Sequence, residues 1–493
     1  MDLINGMTER IKAALDISAR ENLTEKEFLE AEILEFLLSE KRKVIVDGLN
    51  YYEGYQLIDD RERTIIGEGG KVRTVANLPN NRIKNNQYAR LVDQKVSYLL
   101  SKPWEIKTDK KAYSEALKEV FNRKFRRLMK NIGEDAVTSG IAYLYVYFDQ
   151  NQLQFKRFKP SEILPFWKDD EHMELDSFVR IYGQEEYVNR SKELKYKVEY
   201  YTLDGIQKYD YRDGRLFEDG EKLPYLLVNG QSYQPKRIPL VVFKSNNRET
   251  PLISRVKTLQ DALNALYSDC LNNLQEDMRN TILVIKNYDG TDLGEFRRNL
   301  MHYGAIKIRT TDGVNGGVET LRIEVNAENY KTIEQLLKKA LIENGRGLDS
   351  RDERLNGNPN QLNIRAMYAD LDLDAGAMEL EFQASFEDLL YWVNAYLSRQ
   401  GKTIDTTDVE VIFNKDILIN ESETIENCAK SEGILSKETI ISMHPWTVDT
   451  QIELQRIEKE KEEMEQSFLG DYVDHDVLGT ESGTDTPTNA QEK

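Results

Sequence analysis

Cysteine and long apolar runs are among the features that this sequence has least of. Only two of its 493 residues are cysteines, Cys270 and Cys428, and they lie far apart, which excludes a disulfide framework and favours a reducing compartment. The longest apolar runs, at 143–148 and 238–243, are far shorter than the roughly 20 residues that cross a membrane. Residues 1–16 contain no apolar segment. We therefore expect neither a membrane span nor a signal peptide.

Metal-binding and catalytic motifs are also missing. The four histidines are scattered, and none stands in a ligand spacing such as H-E-x-x-H. No G-x-S-x-G nucleophile motif is present. Residues 67–71 (GEGGK) resemble a phosphate-binding loop only superficially, because the glycine spacing is wrong and Val72 replaces the required Ser or Thr. The sequence thus predicts a flexible loop there, and a protein that is no enzyme and needs no cofactor or metal.

One group of carboxylates leaves an alternative open. Asp370, Asp372, Asp374 and Glu381 stand at positions 1, 3, 5 and 12 of a calcium-binding loop. Ala375 replaces the glycine that such a loop needs at its sixth position, and the intervening leucines fit the apolar face of a helix. Solvated helix carboxylates are the favoured interpretation, and a calcium site is the alternative.

A surplus of basic residues is absent as well. The chain contains 67 Lys and Arg against 86 Asp and Glu, which gives a net charge of −19. A protein that grips DNA neutralises phosphates with Lys and Arg, so a tight generic DNA binder is disfavoured. An acidic lining around moving DNA is a different case, because it repels the phosphates and keeps the duplex from sticking. The composition allows that arrangement.

What the sequence does contain is a change of hydrophobic period along the chain. Residues 1–138 are mainly helical in pattern: Thr24 and Glu27 form a capping box, and a helix is predicted over 81–100. Six segments with strand character, separated by Asp and Gly turns, follow at 141–148, 153–158, 178–182, 196–202, 205–211 and 238–243. We therefore predict an α+β fold whose first 250 residues contain an antiparallel sheet.

A helix, a compact insert and a return helix come next. Apolar residues recur at helical spacing over 251–280 and again over 328–343, and Gly345 and Gly347 end the second helix. The insert between them has strand patterns at 281–286, 305–310 and 319–325 and a helix pattern at 292–302. Two long helices flanking an insert form a stalk with little core of its own. One face of such a stalk must pack on neighbouring copies, which favours a ring with head-to-tail contacts.

The last third of the chain begins with a polar segment of mixed charge at 346–366, which contains turn signals. A third long helix is predicted at 367–400, a strand at 409–413 and three helices within 421–467. The acidic tail at 471–493 is predicted to be disordered.

Five stretches of the sequence, in this order and spacing, resemble the portal (head-to-tail connector) family of tailed bacteriophages. They are 51–54 (YYEG), 81–103 (NRIKNNQYARLVDQKVSYLLSKP), 135–147 (DAVTSGIAYLYVY), 238–247 (IPLVVFKSNN) and 261–273 (DALNALYSDCLNN). The resemblance covers nearly the whole chain and is to the type from long-tailed phages of low-GC Gram-positive hosts. It implies a mostly helical subunit of a dodecameric ring at one vertex of the capsid.

The resemblance assigns each part of the chain to a region of such a subunit. The regions are a wing (1–250 and 367–420), two stem helices (251–280 and 327–345), an α/β clip (281–326), a tunnel loop (346–366), a helical crown (421–470) and the acidic tail (471–493).

The family implies a structural function in DNA packaging and viral genome ejection. The ring provides a DNA channel in the virion, and a separate terminase supplies the chemical energy. The implied partners are further copies of the chain, terminase, head-completion or adaptor proteins, the scaffold and major capsid protein, and double-stranded DNA, but no membrane. Assembly is expected in the host cytoplasm.

The tunnel loop and the clip supply the candidate contact residues. By the resemblance, the positions nearest the DNA are Arg351, Arg354, Asn358, Asn360 and Arg365. The candidates for partner or DNA contact in the clip are Arg297, Arg298, Lys307 and Arg309. Weak phosphate contacts repeated around a ring hold DNA while each stays easy to break. Two alternatives stay open: the loop arginines pair with Asp349, Asp352 and Glu353, and the clip residues are ordinary surface charge.

Pro359 is a departure from the family pattern. Relatives often have Asn-x-Ser-Gly where this chain has Asn358-Pro359-Asn360-Gln361. Because proline blocks helix at its own position, the loop is expected to differ in conformation from that of its relatives.

Two other classes of protein are compatible with the sequence. One is a different phage head protein, such as a minor head or adaptor protein, and the other is a nucleic-acid-processing enzyme. The symmetry of the assembled particle separates the first class from a portal, and ATPase or nuclease activity identifies the second.

Overall fold

The computed structural model describes residues 23–66, 70–74, 78–149, 152–188, 190–228, 231–277, 282–286, 317–321, 327–349, 361–402, 404, 409–415, 421–447 and 450–475. The chain divides into two compact units. The first comprises Met1–Asp349 and Ala369–Asp416, and the second comprises Ser350–Tyr368 and Ile417–Lys493.

Among the described residues, the first unit begins with five helices: α1 (Glu25–Leu38), α2 (Glu40–Glu53), α3 (Gln87–Leu100), α4 (Lys111–Val120) and α5 (Arg123–Ser139). The predicted capping box is confirmed, because the Thr24 hydroxyl accepts from the Glu27 amide at 3.3 Å and the Thr24 amide donates to the Glu27 carboxylate at 3.0 Å. The helix predicted from residue 81 is wrong in its start. It begins at Gln87, where the Asn86 side chain caps it by accepting from the Ala89 amide at 3.0 Å.

Antiparallel strands occupy the middle of the first unit: β1 (Thr64–Ile66), β2 (Val72–Thr74), β3 (Glu105–Lys107), β4 (Ile141–Asp149), β5 (Gln152–Phe158), β6 (Ile163–Trp167), β7 (Leu175–Val188), β8 (Ser191–Thr202), β9 (Gly205–Arg212), β10 (Arg215–Glu218), β11 (Leu226–Val228), β12 (Gln231–Tyr233) and β13 (Leu240–Lys244). The main sheets have the orders β10-β9-β8-β7-β6 and β13-β4-β5, and β1-β2 and β11-β12 are hairpins. All six predicted strands are present. The sequence pattern missed β6, whose Pro165 is compatible with its position at a sheet edge.

The two helices predicted over 251–280 and 328–343, which the resemblance assigns to the stem, are present as α6 (Ile253–Asp277) and α7 (Ala327–Asn344). Between them, β14 (Ile282–Lys286) pairs with β15 (Gly317–Leu321). The predicted helix at 292–302, the strand at 305–310 and the end of the third predicted strand, 322–325, lie outside the described residues.

The third long helix, α8 (Gln361–Arg399), is confirmed but starts earlier than predicted. Residues 361–366, assigned to the tunnel loop by the resemblance, are its first turns, so the prediction of a loop there is wrong. The helix begins two residues after Pro359, in agreement with the exclusion of proline from helix interiors. Strand β16 (Glu410–Ile412) pairs with β3.

The largest apolar core of the first unit is built from α3, α5, α6, α8, β4 and β13. At its centre the ring of Trp104 lies 4.9 Å from that of Phe386, and Phe121 lies 4.8 Å from Phe125. A smaller core joins α1 to the five-stranded sheet, and a third lies where β4 and β5 meet β6 to β8. The core thus fixes α8 against the sheet and against the base of the stem helices.

The second unit contains the first turns of α8, followed by α9 (Glu421–Lys430), α10 (Lys437–Met443) and α11 (Thr450–His475). The three helices predicted within 421–467 are therefore confirmed. The last one continues to His475, into the segment predicted to be disordered, and residues 476–493 lie outside the described part. The predicted α+β class is confirmed for the chain.

Candidate DNA channel and its supports

The stem helices pack as an antiparallel pair, as the sequence predicts. The Tyr267 hydroxyl of α6 donates to the Glu334 carboxylate of α7 at 2.5 Å, and the Asn273 amide donates to the Tyr330 hydroxyl at 2.8 Å. The residue numbers of these contacts rise along α6 and fall along α7, so the two helices are antiparallel. The pair therefore carries the insert at its end.

Burial along the stem changes from one end to the other. Leu263 of α6 and Leu341 of α7 are fully buried in the main core. Toward the insert, Leu274 is 49%, Ile333 46% and Leu336 62% exposed. The expectation that the stalk has little core of its own thus holds for its outer part, whereas its base is covered by the rest of the first unit.

A ladder of polar side chains holds residues 81–87, which we call the strap, on one face of α6. Four fully buried α6 side chains, spaced four residues apart, accept hydrogen bonds from alternate strap amides. The pairs are Gln260 with Gln87 (3.0 Å), Asn264 with Asn85 (2.9 Å), Ser268 with Ile83 (3.0 Å) and Asn272 with Asn81 (2.8 Å). Four helical residues rise about 6.0 Å and two extended residues about 6.6 Å, so the two repeats stay in register.

The α6 side chains of the ladder also donate hydrogen bonds. The Gln260 amide donates to the Asn85 carbonyl at 2.8 Å, and the Asn264 amide donates to the Gln56 side chain. A buried backbone amide without a partner destabilises the fold, so these bonds replace the helix or sheet hydrogen bonds that the strap lacks. Two of the stretches that carry the family resemblance, 81–103 and 261–273, are therefore in direct contact.

The chain that leaves α7 is fixed on α3. The Gln94 side-chain amide donates to the Leu348 carbonyl at 2.9 Å, and its oxygen accepts from the Leu348 amide at 3.2 Å. The Lys95 ammonium donates to the Arg346 carbonyl at 3.2 Å. The backbone thus approaches residue 350 from a fixed position.

Gly345 and Gly347 permit this close approach. A Cβ at Gly345 would lie 2.5 Å from a methyl carbon of Leu91, and one at Gly347 would lie 2.1 Å from another. The predicted role of these glycines in ending α7 is in agreement with its last residue, Asn344. Their contact with α3 adds a packing requirement that the sequence pattern does not show.

Asp374 of α8 is the centre of an ionic cluster. Its carboxylate lies 2.7 Å from the Lys95 ammonium, 2.7 Å from the Arg346 guanidinium and 2.9 Å from the Arg255 guanidinium. These cations belong to α3, to the segment after α7 and to α6. One carboxylate on α8 therefore connects this helix with α3, with α6 and with the segment that leaves α7.

The charges of the cluster shift its titration. Burial alone would raise the pKa of the Asp374 carboxyl, but Lys95 and the two arginines together lower it below its ordinary value. Burial lowers the pKa of Lys95, and Asp374 counteracts this only in part, because Arg255 and Arg346 repel the ammonium. The carboxylate is thus held in its charged form near neutral pH.

Only one of the predicted channel residues lies in the described part of the chain. Arg365 is exposed, and it stands on α8 instead of on a loop. The other predicted channel positions lie outside the described residues: Arg351, Arg354, Asn358 and Asn360. The clip candidates do so as well: Arg297, Arg298, Lys307 and Arg309. Both sets of contacts therefore stay predictions.

The calcium alternative does not fit the geometry of α8. Residues 370–381 are continuous helix, whereas a calcium-binding loop folds around its ion. Asp374 already faces three cations, and Asp372 accepts from the Tyr98 hydroxyl at 2.6 Å and lies 3.3 Å from the Lys415 ammonium. The helix interpretation of these carboxylates agrees with the structure.

The segment that resembles a phosphate-binding loop lies within a hairpin. Strand β1 ends at Ile66, and β2 begins at Val72, directly after Lys71. A phosphate-binding loop instead leads from a strand into a helix, whose N-terminus receives the phosphate. The two flanking strands thus lack the strand-to-helix order that a phosphate-binding loop needs.

Across the part of the chain that the structure describes, His, Cys, Asp and Glu side chains form no group of three that could hold a metal ion. Within the same residues, none of the helices combines the length and the apolar character needed to cross a membrane.

Two features of this region, the ladder and the ionic cluster, were not predicted from the sequence. The ladder has a local signal, since Gln260, Asn264, Ser268 and Asn272 recur every four residues beside the apolar stripe of α6. The cluster has none, because its members are up to 279 residues apart in sequence.

Comparisons with known proteins agree with this architecture. Residues 39–467 match the family model described as phage portal protein, SPP1 Gp6-like. A portal protein of Clostridium phage phiCD119 is 28% identical over 87% of this chain and 95% of its own length. A portal protein of Bacillus phage SPP1 is 26% identical over 88% of this chain and 87% of its own length.

Among solved structures, a chain from the neck of an empty GTA particle, computed with C6 symmetry, aligns with 77% of this chain and 95% of its own. The TM-score is 0.43 and the identity is 12%. The family match extends over the antiparallel sheets, the pair of α6 and α7 and most of the C-terminal helices, and it supports neither an adaptor protein nor an enzyme. The chain belongs to the SPP1 Gp6-like family of phage portal proteins.

Proposed function

We propose that this chain is one subunit of a ring at the portal vertex of a phage capsid, and that DNA is packaged and ejected through the channel of the ring. The family match over residues 39–467 carries this proposal. Portal proteins are structural and non-enzymatic, in agreement with the expectation that the chain is no enzyme. We expect twelve copies in the ring, as the resemblance implies.

The supports of the stem are suited to a segment that touches moving DNA. A loop in contact with the duplex transmits force to its attachment points. On one side of residues 350–360 the chain is attached to α3 through Gln94 and Lys95, and on the other side it continues into α8. The Asp374 cluster joins α3, α6 and α8, so the load is distributed over the main core.

Arg351, Arg354 and Arg365 are the proposed phosphate contacts, with Asn358 and Asn360 beside them. Each contact is weak and sensitive to salt, and repetition around the ring makes the sum significant. The overall charge of −19 opposes tight binding of DNA outside these contacts. DNA under pressure is thus retained without being immobilised.

Further partners follow from the same proposal. Terminase docks on the ring and supplies the chemical energy for packaging. The clip, with Arg297, Arg298, Lys307 and Arg309, meets the head-completion or adaptor proteins, while the scaffold and the major capsid protein surround the ring. Assembly takes place in the host cytoplasm, before the ring becomes part of the virion.

The first test is direct imaging of the purified full chain by negative-stain electron microscopy. Rings with a central hole are expected. A stable, compact monomer at all concentrations would contradict the proposal.

The second test concerns the loop arginines. Arg351→Glu combined with Arg354→Glu is expected to reduce DNA retention in a packaging assay, because the phosphate contacts become repulsive. The matched control changes two exposed arginines of the first unit, Arg127→Glu and Arg215→Glu, and alters the net charge equally. Equal retention by the two double variants would remove the proposed role and favour pairing of the loop arginines with Asp349, Asp352 and Glu353.

A further inference from the structure

The long helix α8 is apolar on two opposite faces. One face lies in the main core, where its side chains are at most 5% exposed (Leu371, Ala375, Met378, Phe382 and Phe386). On the other side of the helix, Leu373 is 61% and Leu380 69% exposed. A helix at the surface of a solitary domain has a single apolar stripe. The second stripe therefore indicates that another surface covers α8.

The exposed face, which we call the outward stripe, has the spacing of a helix–helix seam. Leu373 and Leu380 are seven residues apart, as are Ala369 and Gly376, and Ala377 lies between the leucines. A Cβ added at Gly376 would meet no atom within 4 Å, so the chain itself does not require glycine there. Glycine inside an exposed helix lowers helix stability relative to alanine. Small residues between leucines make a groove that lets a second helix approach closely.

A complementary ridge lies on α7. Ile333, Leu336 and Ala340 follow one another at seam spacing on a lateral face of α7, beside the face of Leu341, and the first two are 46% and 62% exposed. The larger side chains of α7 match the small residues of the groove on α8. Both stripes belong to the first unit.

The charges beside the two stripes are also complementary. Asp370 is exposed beside the groove on α8. Lys339 is exposed beside the ridge on α7, and its side chain is 72% accessible. Opposite charges at the flanks of a helix seam select the partner and its orientation.

We infer that the outward stripe of α8 in one subunit packs against the α7 stripe of a second copy. This inference rests on the proposed ring. A closed ring needs two different, complementary patches on every subunit, whereas a symmetric dimer needs one self-complementary patch. The groove on α8 and the ridge on α7 are such a pair, and they place the stem of one subunit beside the long helix of its neighbour.

The test uses the full chain and size-exclusion chromatography with light scattering. Leu373→Asp combined with Leu380→Asp is expected to abolish the ring and yield a monomer with an unchanged far-UV circular dichroism spectrum, because the core face of α8 is untouched. Leu336→Asp is expected to do the same from the opposite side of the contact. The matched control, Leu194→Asp with Leu223→Asp, changes two exposed leucines of the wing and is expected to leave the ring intact.

Cross-linking identifies the partner surface without relying on loss of assembly. In a chain whose Cys270 and Cys428 are replaced by serine, Ala377→Cys with Leu336→Cys should give a ladder of covalent oligomers with a short bifunctional maleimide. Each single-cysteine variant should stay monomeric on a denaturing gel. A covalent dimer from Ala377→Cys alone would overturn the inference, since it requires two α8 helices to face each other.

Failure of the proposed ring and failure of the inferred contact between α8 and α7 give different results. A wild-type chain that never assembles overturns the proposed ring and this inference with it. A wild-type ring together with an equally stable ring of the Leu373→Asp and Leu380→Asp variant overturns the inference alone.

Discussion

Removal of the Asp374 carboxylate should destabilise the first unit far more than its single charge suggests. In Asp374→Ala, the Lys95 ammonium keeps its buried position but loses the carboxylate that lies 2.7 Å from it, with Arg255 and Arg346 still nearby. A buried cation without compensation is the main physical consequence. The fold must then either strain to admit water or deprotonate Lys95.

The magnitude follows from the burial of each partner. The side chain of Lys95 is 7% exposed, whereas those of Arg255 and Arg346 are 34% and 44% exposed and are screened by solvent. Breaking a buried pair by removing one partner lowers the free energy of unfolding by about 3–5 kcal/mol. We expect about 3 kcal/mol for Asp374→Ala, nearly all of it from Lys95.

The assay is urea unfolding followed by near-UV circular dichroism. Glu387→Ala is the control on the same helix, because Glu387 is exposed, and we expect a change within about 0.5 kcal/mol. The pKa of Asp374 is lowered in the fold, so the stabilisation is complete above the ordinary pKa of 3.8 and is lost as the pH falls below it. The difference between wild type and Asp374→Ala should therefore shrink in acid.

A double replacement separates charge from packing. Lys95→Met with Asp374→Leu removes the pair together and should restore much of the lost stability, since apolar residues of similar volume often replace a buried ion pair without loss. If Asp374→Ala is no more destabilising than Glu387→Ala, or if the double variant is less stable than Asp374→Ala, the reasoning about the cluster is refuted.

Three further outcomes are expected from the described residues. Burial raises the pKa of Asp135 from 3.8 to about 7, which corresponds to about 4 kcal/mol of unfavourable ionisation at neutral pH. Because the folded pKa is raised, stability falls as the pH rises from about 4 to 7, and Asp135→Asn should be more stable than wild type at pH 8 but not at pH 4, as measured by thermal unfolding. Asn264→Ala should leave the half-buried Asn85 amide of the strap without its acceptor, lower the free energy of unfolding by about 1–3 kcal/mol, and speed hydrogen exchange of the strap but not of β8. Gly347→Ala should lower the free energy of unfolding by about 1–3 kcal/mol, because the new methyl lies 2.1 Å from a methyl carbon of Leu91, which is 2% exposed. An unchanged urea midpoint would show that α3 moves to make room for the methyl group.

The periodic elements of this protein could be predicted from its sequence because each is determined by neighbours along the chain. The stripes of α6 and α7, the alternation in the second half of β9, and the Thr24 capping box depend on spacings of two to four residues. The start of α8 was misplaced by a few residues, since only the position of Pro359 marked the boundary and the polar turns of the helix look like a loop.

By itself, the sequence determined the α+β class, the order of helix, insert and return helix, and the membership of the portal family, because these depend on local period and on motif order. Only the tertiary structure decided what residues 81–86 do, since their amides bind α6 side chains that follow them by nearly 200 residues. It also decided that Asp374 joins four elements and that α8 is exposed on an apolar face. Such pairings depend on how distant segments meet in space, and no spacing along the chain records them.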